Sequence, residues 1–200
     1  MKILGLTGDI AAGKSTVGRM LQKRGAAYLD ADLEVRQLYA QPTFAARIAG
    51  RFGDVLDASG FVDRRKLGPL VFSNAAKLAE LEALVHPAVA ALRREQLQTL
   101  RLSGTQFVVI EAVKLLEGGQ SDDCDEIWCI VAWHSVQVAR LMNDRRMARD
   151  DAERRLEAQP SPEAKRALAG RVPLLFLSNN GTLAQLEARV EAEWTRFSGG

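Results

Sequence analysis

GDIAAGKST, running from Gly8 to Thr16, decides the fold. It fits G-x-x-x-x-G-K-[ST], the Walker A phosphate-binding loop. Gly8 and Gly13 reach backbone angles that a residue with a side chain adopts only at a cost. The successive N–H groups between them, through Ala11 and Ala12, can therefore turn inward around phosphate oxygens. Lys14 supplies a point charge for the β- and γ-phosphates, and Ser15 offers a hydroxyl to Mg²⁺, with Thr16 beside it. The flanks agree. KILGLT before the loop is a short apolar run suited to a buried strand, and Val17, Met20 and Leu21 after it fall at i, i+3 and i+4, as a helix packed on a sheet requires. The dipole of that helix adds to the anion site. A glycine-rich turn matching by accident would explain neither flank, so a nucleoside triphosphate site is expected.

Two hundred residues with 47% hydrophobic content can bury a proper core and suit one domain with a small insertion. A net charge of +2 does not suggest a polyanion binder, and no nucleic-acid partner is expected. Cys124 and Cys129 lie five apart and match neither a disulfide framework nor a metal spacing; two buried thiols in a reducing compartment are expected. No apolar run reaches the ~18 residues of a membrane span, so no membrane association is expected. With the first strand starting at once, no targeting peptide is expected either, and the protein reads as cytoplasmic.

Beyond the first helix, Gly25 marks a stop and AAYLD reads as a second strand ending in Asp30-Ala31-Asp32. Carboxylates at the carboxyl end of a parallel strand stand where α/β sheets bind ligands. Helices are expected from about Leu33 to Ala40 and from Thr43 towards Phe52. Residues 53–103 carry almost no strand pattern: Asp63 reads as an N-cap before RRKLGPLVF, and Ser73 or Asn74 before AAKLAELEALV. His86-Pro87 is expected to interrupt that helix, with a helical face resuming at Val89, Leu92, Leu97 and Leu100. QFVVIE (Gln106 to Glu111) and EIWCIVA (Glu126 to Ala132) are nearly continuous apolar runs, the signature of parallel strands covered on both faces. Helices from about Ser135 to Asp144 and Asp150 to Gln159 follow, then a fifth strand in RVPLLFLSN. A last helix places Leu183, Leu186, Val190, Trp194 and Phe197 on one side. Strands alternating with helices predict an α/β fold, a P-loop-type three-layer sandwich with about five parallel strands.

A phosphate loop alone serves GTPase switches, ATPase motors and small-molecule kinases. No N-K-x-D guanine-reading motif occurs, and the chain is short for a motor. Phosphoryl transfer to a small acceptor remains.

The chain resembles the dephospho-CoA kinase family. The resemblance is carried by LTGDIAAGKST (Leu6 to Thr16), YLDADLEVRQLY (Tyr28 to Tyr39), GFVDRRKLGPLVF (Gly60 to Phe72), LEALVHP (Leu81 to Pro87), Arg140 with RRMARDDAERRLEAQ (Arg145 to Gln159), and SNNG (Ser178 to Gly181). These pieces cover almost the whole chain in the family's order. The resemblance implies ATP-dependent phosphorylation of the ribose 3′-hydroxyl of dephospho-CoA, giving coenzyme A and ADP, with ATP and Mg²⁺ bound. The neighbouring alternatives are another P-loop kinase, acting on a nucleoside monophosphate or sugar acid, and a nucleotide-binding regulator without transferase activity. A monomer is expected, with an oligomer left open. The implied layout is a single domain: a core of 1–52, 104–140 and 160–200, a helical substrate subdomain of about 53–103, and a lid of about 140–159.

The resemblance favours Asp32 as the group that accepts or orients the proton of the attacking hydroxyl, although Asp30 and Asp32 also suit the helix cap beside them. Arg140, with Arg145 or Arg149, is implied in a lid neutralising charge that builds in transfer; the same run, six arginines and four acids from Arg140 to Arg155, also reads as a salt-bridged surface. The resemblance suggests that Arg64 or Arg65 approaches the substrate phosphates, although both also read as solvated helix charges, and gives His86 either an acceptor-site or a domain-packing role; Lys114 is a further candidate acceptor contact, alongside Arg65 and His86. Asn180 reads either as an adenine contact or as part of a plain turn, and Glu111 resembles a Walker B carboxylate. Four departures stand out. Asp9 replaces a second glycine, Lys114 in VKLLEG replaces a usual proline, Asp144 stands where arginine is frequent, and FLSNNG lacks the usual aspartate.

Overall fold

The computed structural model describes residues 1–117 and 121–199. Gly118, the last residue of VKLLEG, lies outside them. The described chain forms two compact units, Met1–Leu29 with Leu100–Gly200, and Asp30–Thr99.

The first unit is the sheet and its covering helices. Its strands are β1 (Lys2–Gly8), β2 (Ala27–Asp30), β3 (Phe107–Glu111), β4 (Glu126–Val131) and β5 (Leu174–Ser178). The order across the sheet is β2-β3-β1-β4-β5. The pairs β1–β3, β1–β4 and β4–β5 run parallel, with Thr7 opposite Cys129 and Gly8 opposite Ile130. Helices between the strands are what allow parallel pairing, and burial on both faces explains their unbroken apolar runs. The helices are α1 (Lys14–Lys23), α6 (His134–Arg145), α7 (Arg149–Glu157), α8 (Pro162–Ala169) and α9 (Leu183–Gly199).

One apolar cluster joins Leu4, Leu6, Val17, Leu21, Val109, Trp128 and Ile130 to Leu186, Val190, Trp194 and Phe197 of α9. Each such large side chain stabilises the unit by about 1.5–3 kcal/mol when fully buried. Leu183, expected on the same side of α9, is instead 63% exposed, because it opens the helix before the packed face begins. Cys124 and Cys129 are both buried, as expected.

The second unit is helical: α2 (Ala31–Tyr39), α3 (Pro42–Phe52), α4 (Arg64–Phe72) and most of α5 (Ala75–Leu102). Leu38, Tyr39, Phe44 and Ile48 share an apolar cluster with Val55, Leu67, Val71, Leu81, Val85 and Val89. Hence α2 and α3, assigned to the core by sequence, cohere with α4 and α5. Asp30 caps α2, accepting from the N–H groups of Asp32 and Leu33, so the helix starts at Ala31 rather than near Leu33. Asp63 caps α4, and Asn74, not Ser73, accepts from Ala76 and Lys77 at the head of α5. An isolated antiparallel bridge, Leu56 to Val62, is the small strand-like feature that the sequence reading left out of 53–103.

His86-Pro87 does not interrupt the helix. The 28 residues of α5 run through it. Pro87 removes one N–H and crowds the preceding turn, but Leu81, Val85, Val89 and Leu97 bury one stripe on both sides of it. Tertiary packing outweighs the local penalty. A buried ion pair adds to that stripe: Arg93 of α5 donates through Nε to Glu34 of α2 at 3.2 Å, with a second, shorter bond from the same guanidinium.

Pro87 itself is exposed, and an alanine there could donate back along the helix. Since proline costs roughly 3 kcal/mol in a helix interior, Pro87→Ala should stabilise the protein by about 1 kcal/mol or more. The thermal midpoint followed by circular dichroism should rise by ~2–4 °C. A fall would mean that the ring makes packing contacts the helix needs.

Candidate active site

The first turn of α1 is built for an anion. Gly13, its N-cap, sits at φ 106°, and Gly8 at φ 143°. A Cβ on Gly8 would lie 2.1 Å from the Ile130 carbonyl oxygen, and one on Gly13 only 2.3 Å from Asn179 Nδ2. Both positions therefore need glycine twice over, for angle and for space. Ala11 also stands in the left-handed region, at φ 58°, a strained conformation for a residue with a side chain. Among the described residues, the backbone N–H groups of Gly13, Lys14 and Ser15 meet no acceptor. At a helix N-terminus such donors make an anion site.

Turning those N–H groups one way sends the loop carbonyls the other way, and the unit satisfies every one from Gly8 to Ala12. Lys14 Nζ donates to Gly8 O at 2.8 Å and Asp9 O at 3.0 Å. Gln137 of α6 donates to Ile10 O at 2.8 Å. Arg140, one turn further along α6, reaches Ala11 O at 3.1 Å and Ala12 O at 3.2 Å, and also Asn179 O at 3.2 Å. Asn179 Nδ2 donates to Ala12 O at 2.7 Å. The Ile10 N–H is held from outside by Gln159 Oε1 at 2.6 Å.

The charges around the loop alternate. Lys14 is buried, and desolvation pushes its ammonium pKa down; Glu111 and Asp9 oppose that shift, while Arg145 reinforces it. Glu111 ends β3 and accepts a hydrogen bond from the Tyr28 hydroxyl. Asp9 pairs with Lys165 of α8. Beneath the loop, burial pushes the Cys129 thiol up to about 11, which keeps it neutral and unreactive.

Of the residues expected from sequence, Gly8, Ala11, Ala12, Gly13, Lys14, Ser15, Thr16 and Arg140 come together at this loop. Ser15 is exposed at the head of α1. Arg145 is exposed at the end of α6, close enough to act on Lys14. Arg149 is exposed on α7 and pairs with Glu153 at 3.3 Å; His134 reaches the same carboxylate at 3.1 Å. Asn180 Oδ1 accepts from Trp133 N at 2.6 Å, and its Nδ2 donates to Ser178 Oγ at 2.8 Å, so its side chain closes the turn after β5. Lys114 is exposed in the segment after β3.

Asp32, Arg65 and His86 belong to the helical unit. Asp32 is exposed in the first turn of α2, and since Asp30 serves as the cap, the Asp32 carboxylate is not engaged in capping. The Arg65 side chain is 92% exposed and paired with Asp63 at 3.3 Å. His86 is exposed on α5.

Four residues around the loop escaped the sequence reading: Gln137, Gln159, Lys165 and Asn179. Three of them act on backbone groups, which leaves no spacing signature. Lys165 had one legible sign, for Ser161-Pro162 is an N-cap followed by proline at the first helical position, and it announces the unexpected helix α8. The Ser161 hydroxyl does accept from Ala164 N at 3.2 Å.

The profile of the dephospho-CoA kinase family matches residues 2–185. A dephospho-CoA kinase from Geobacter sulfurreducens is 40% identical over 198 residues, which cover 98% of each chain. Among solved structures, a protein from Thermus thermophilus superposes with a TM-score of 0.81 at 31% identity, over 98% of this chain and 97% of its own. Dephospho-CoA kinase from Campylobacter jejuni gives 0.73 at 25% identity, over 100% and 99%. Likeness of this extent takes in the phosphate loop, both units and every strand, and the chain belongs to the dephospho-CoA kinase family.

Proposed function

We propose that this chain transfers the γ-phosphoryl group of ATP to the ribose 3′-hydroxyl of dephospho-CoA, giving coenzyme A and ADP, the last step in making the coenzyme. The observation that carries the reading is the cradle of unengaged N–H groups at Gly13, Lys14 and Ser15, found in a chain of this family. In phosphoryl transfer the protein mainly positions groups and offsets charge, and the site is equipped for both. The Gly13–Ser15 N–H groups and the Lys14 ammonium hold the β- and γ-phosphates. Desolvation makes Lys14 electrostatically strong there, and a bound polyanion offsets the burial that lowers its pKa.

Arg140 keeps the loop carbonyls in place and sets its own charge beside them. Arg145 and Arg149 lie on the segment of about 140–159, which we read as a lid whose arginines offset charge as the phosphoryl group moves and whose closure excludes water. Asp32 accepts or orients the proton of the attacking hydroxyl. Its release from capping duty and its exposure support that role. Arg65, His86 and Lys114 serve as acceptor contacts, and Asn180, through the turn it closes, borders the adenine.

The oxygen donor at the loop that fits Mg²⁺ is the Ser15 hydroxyl, exposed at the head of α1. A Mg²⁺ that accompanies a nucleotide is bound mostly by substrate phosphates and water, with few protein ligands. When bound with the nucleotide, that ion supplies charge neutralisation at the β- and γ-oxygens. Among the described residues no helix is long and apolar enough to cross a membrane. Cys129, buried and outside any disulfide, suits the reducing environment of the cytoplasm.

ADP release from MgATP, measured with and without dephospho-CoA, tests the reaction directly. Dephospho-CoA should stimulate it strongly, with coenzyme A identified by mass spectrometry. A nucleoside monophosphate or sugar acid outperforming dephospho-CoA would overturn the acceptor, and ATP binding without turnover on any acceptor would indicate a regulator. Lys14→Ala should lower kcat/KM by ~10² or more, since it removes a preorganised charge from a site with little water. More than half the wild-type rate would remove Lys14 from the phosphate site. Asp32→Asn should leave ATP affinity nearly intact and lower kcat by about 10²–10⁴, as loss of a general base does. A rise confined to the KM of the acceptor would make Asp32 a positioning group.

A further inference from the structure

Asp9 is a carboxylate built into the phosphate loop. Its N–H donates to Ile130 O at 3.1 Å and its carbonyl accepts from Lys14 at 3.0 Å, so its backbone is part of the cradle. A negative side chain at this point opposes the binding of a triphosphate unless something cancels it. Lys165 does so. Its ammonium bonds Asp9 Oδ1 from 156 residues away, and only 7% of the residue is exposed.

The two side chains border a small cavity with Thr7, Gly8, Glu117 and Gln159, about 50 Å³ in volume. That admits water but is far below the few hundred Å³ of a metabolite pocket. The cluster therefore works on the loop rather than on a ligand of its own. Gln159, just before α8, fixes the neighbouring residue of the loop through the Ile10 N–H at 2.6 Å. Ile10 and Ala11 also pack on Val138, Leu141, Ala152 and Leu156 of α6 and α7.

We propose that Lys165 is a positioning residue that makes Asp9 compatible with ATP: it draws the carboxylate outward, cancels its charge, and with Gln159 clamps the first half of the phosphate loop to the α7–α8 connection. This rests on the reading of the loop as an ATP site. A burial cost alone would keep an unpaired lysine out of this position, and an unpaired Asp9 would repel the nucleotide. Each residue makes sense only with the other.

The test is a mutant cycle read as the Kd of MgATP by calorimetry, with KM and kcat for dephospho-CoA turnover measured alongside. Lys165→Met should weaken ATP binding about tenfold or more, because the half-buried Asp9 carboxylate is left uncompensated beside the phosphates. Asp9→Asn combined with Lys165→Met should return the Kd to within about threefold of the parent, and Lys165→Arg should also retain it. The parent's own turnover of dephospho-CoA checks the acceptor, whereas the Kd cycle needs no acceptor, so the two failures are distinguishable. A double variant as weak as Lys165→Met alone would overturn the proposal, and would mean that Lys165 acts on the nucleotide itself. Should Lys165→Met fail to fold, a folded, ATP-binding double variant supports the pairing, and a double variant that also fails to fold overturns it.

Discussion

The binding loop depends on one constraint: a backbone cannot turn its N–H groups toward a ligand without turning its carbonyls away. Buried carbonyls then require donors from elsewhere. In this chain the donors for Gly8 to Ala12 come from Lys14, from Gln137 and Arg140 on α6, and from Asn179 after β5. The sheet order explains how these reach the loop. With β4 beside β1 and β5 beside β4, the segments that follow both strands emerge next to the end of β1. Ala11, in its left-handed conformation, is kept there by the same bonds. The parallel sheet and the phosphate site are thus one solution to one hydrogen-bonding problem.

The second requirement is electrostatic. A lysine buried as Lys14 is would tend to lose its proton, and a site meant to grip phosphate needs it charged. Glu111 and Asp9 supply the opposing field. Too much negative charge would repel the substrate, and here Lys165 on Asp9 and Tyr28 on Glu111 occupy the carboxylates. Positive charge stays on the cradle while the acids that sustain it are turned to other donors.

How much of this was legible in the sequence follows from the range of each interaction. The phosphate loop, the five strands and the Asp63 cap were readable, because glycine angles, apolar runs and caps are set within a few residues. Pro87 misled because its local penalty is real, and only the stripe from Leu81 to Leu97 shows that packing exceeds it. Helix α8 was missed because at eight residues it shows little more than its Ser161-Pro162 start. Arg140 was readable as a functional arginine, but its hold on Ala11 and Ala12 was not, since a bond to a carbonyl selects no particular residue on the far side. The Glu34–Arg93 pair left no sign at all. Both residues look like ordinary helix charges until the fold buries them.

Asp9 shows what that difference in range means for judging departures from a family pattern. In the sequence it is a discord, an acid among residues meant for phosphate. A local view offers only two outcomes, a weakened site or a changed function. The fold supplies a third, since a lysine on a helix that the local pattern barely reveals stands within bonding reach of that carboxylate. Removing a lysine so buried would leave Asp9 without its counter-ion, and replacing Asp9 alone would leave a buried ammonium in the same difficulty. Neither residue can be weighed by itself. A substitution in a binding loop has to be judged together with the residues that the fold brings against it, and here that partner turns an apparent loss into a charge-balanced variant of the same site.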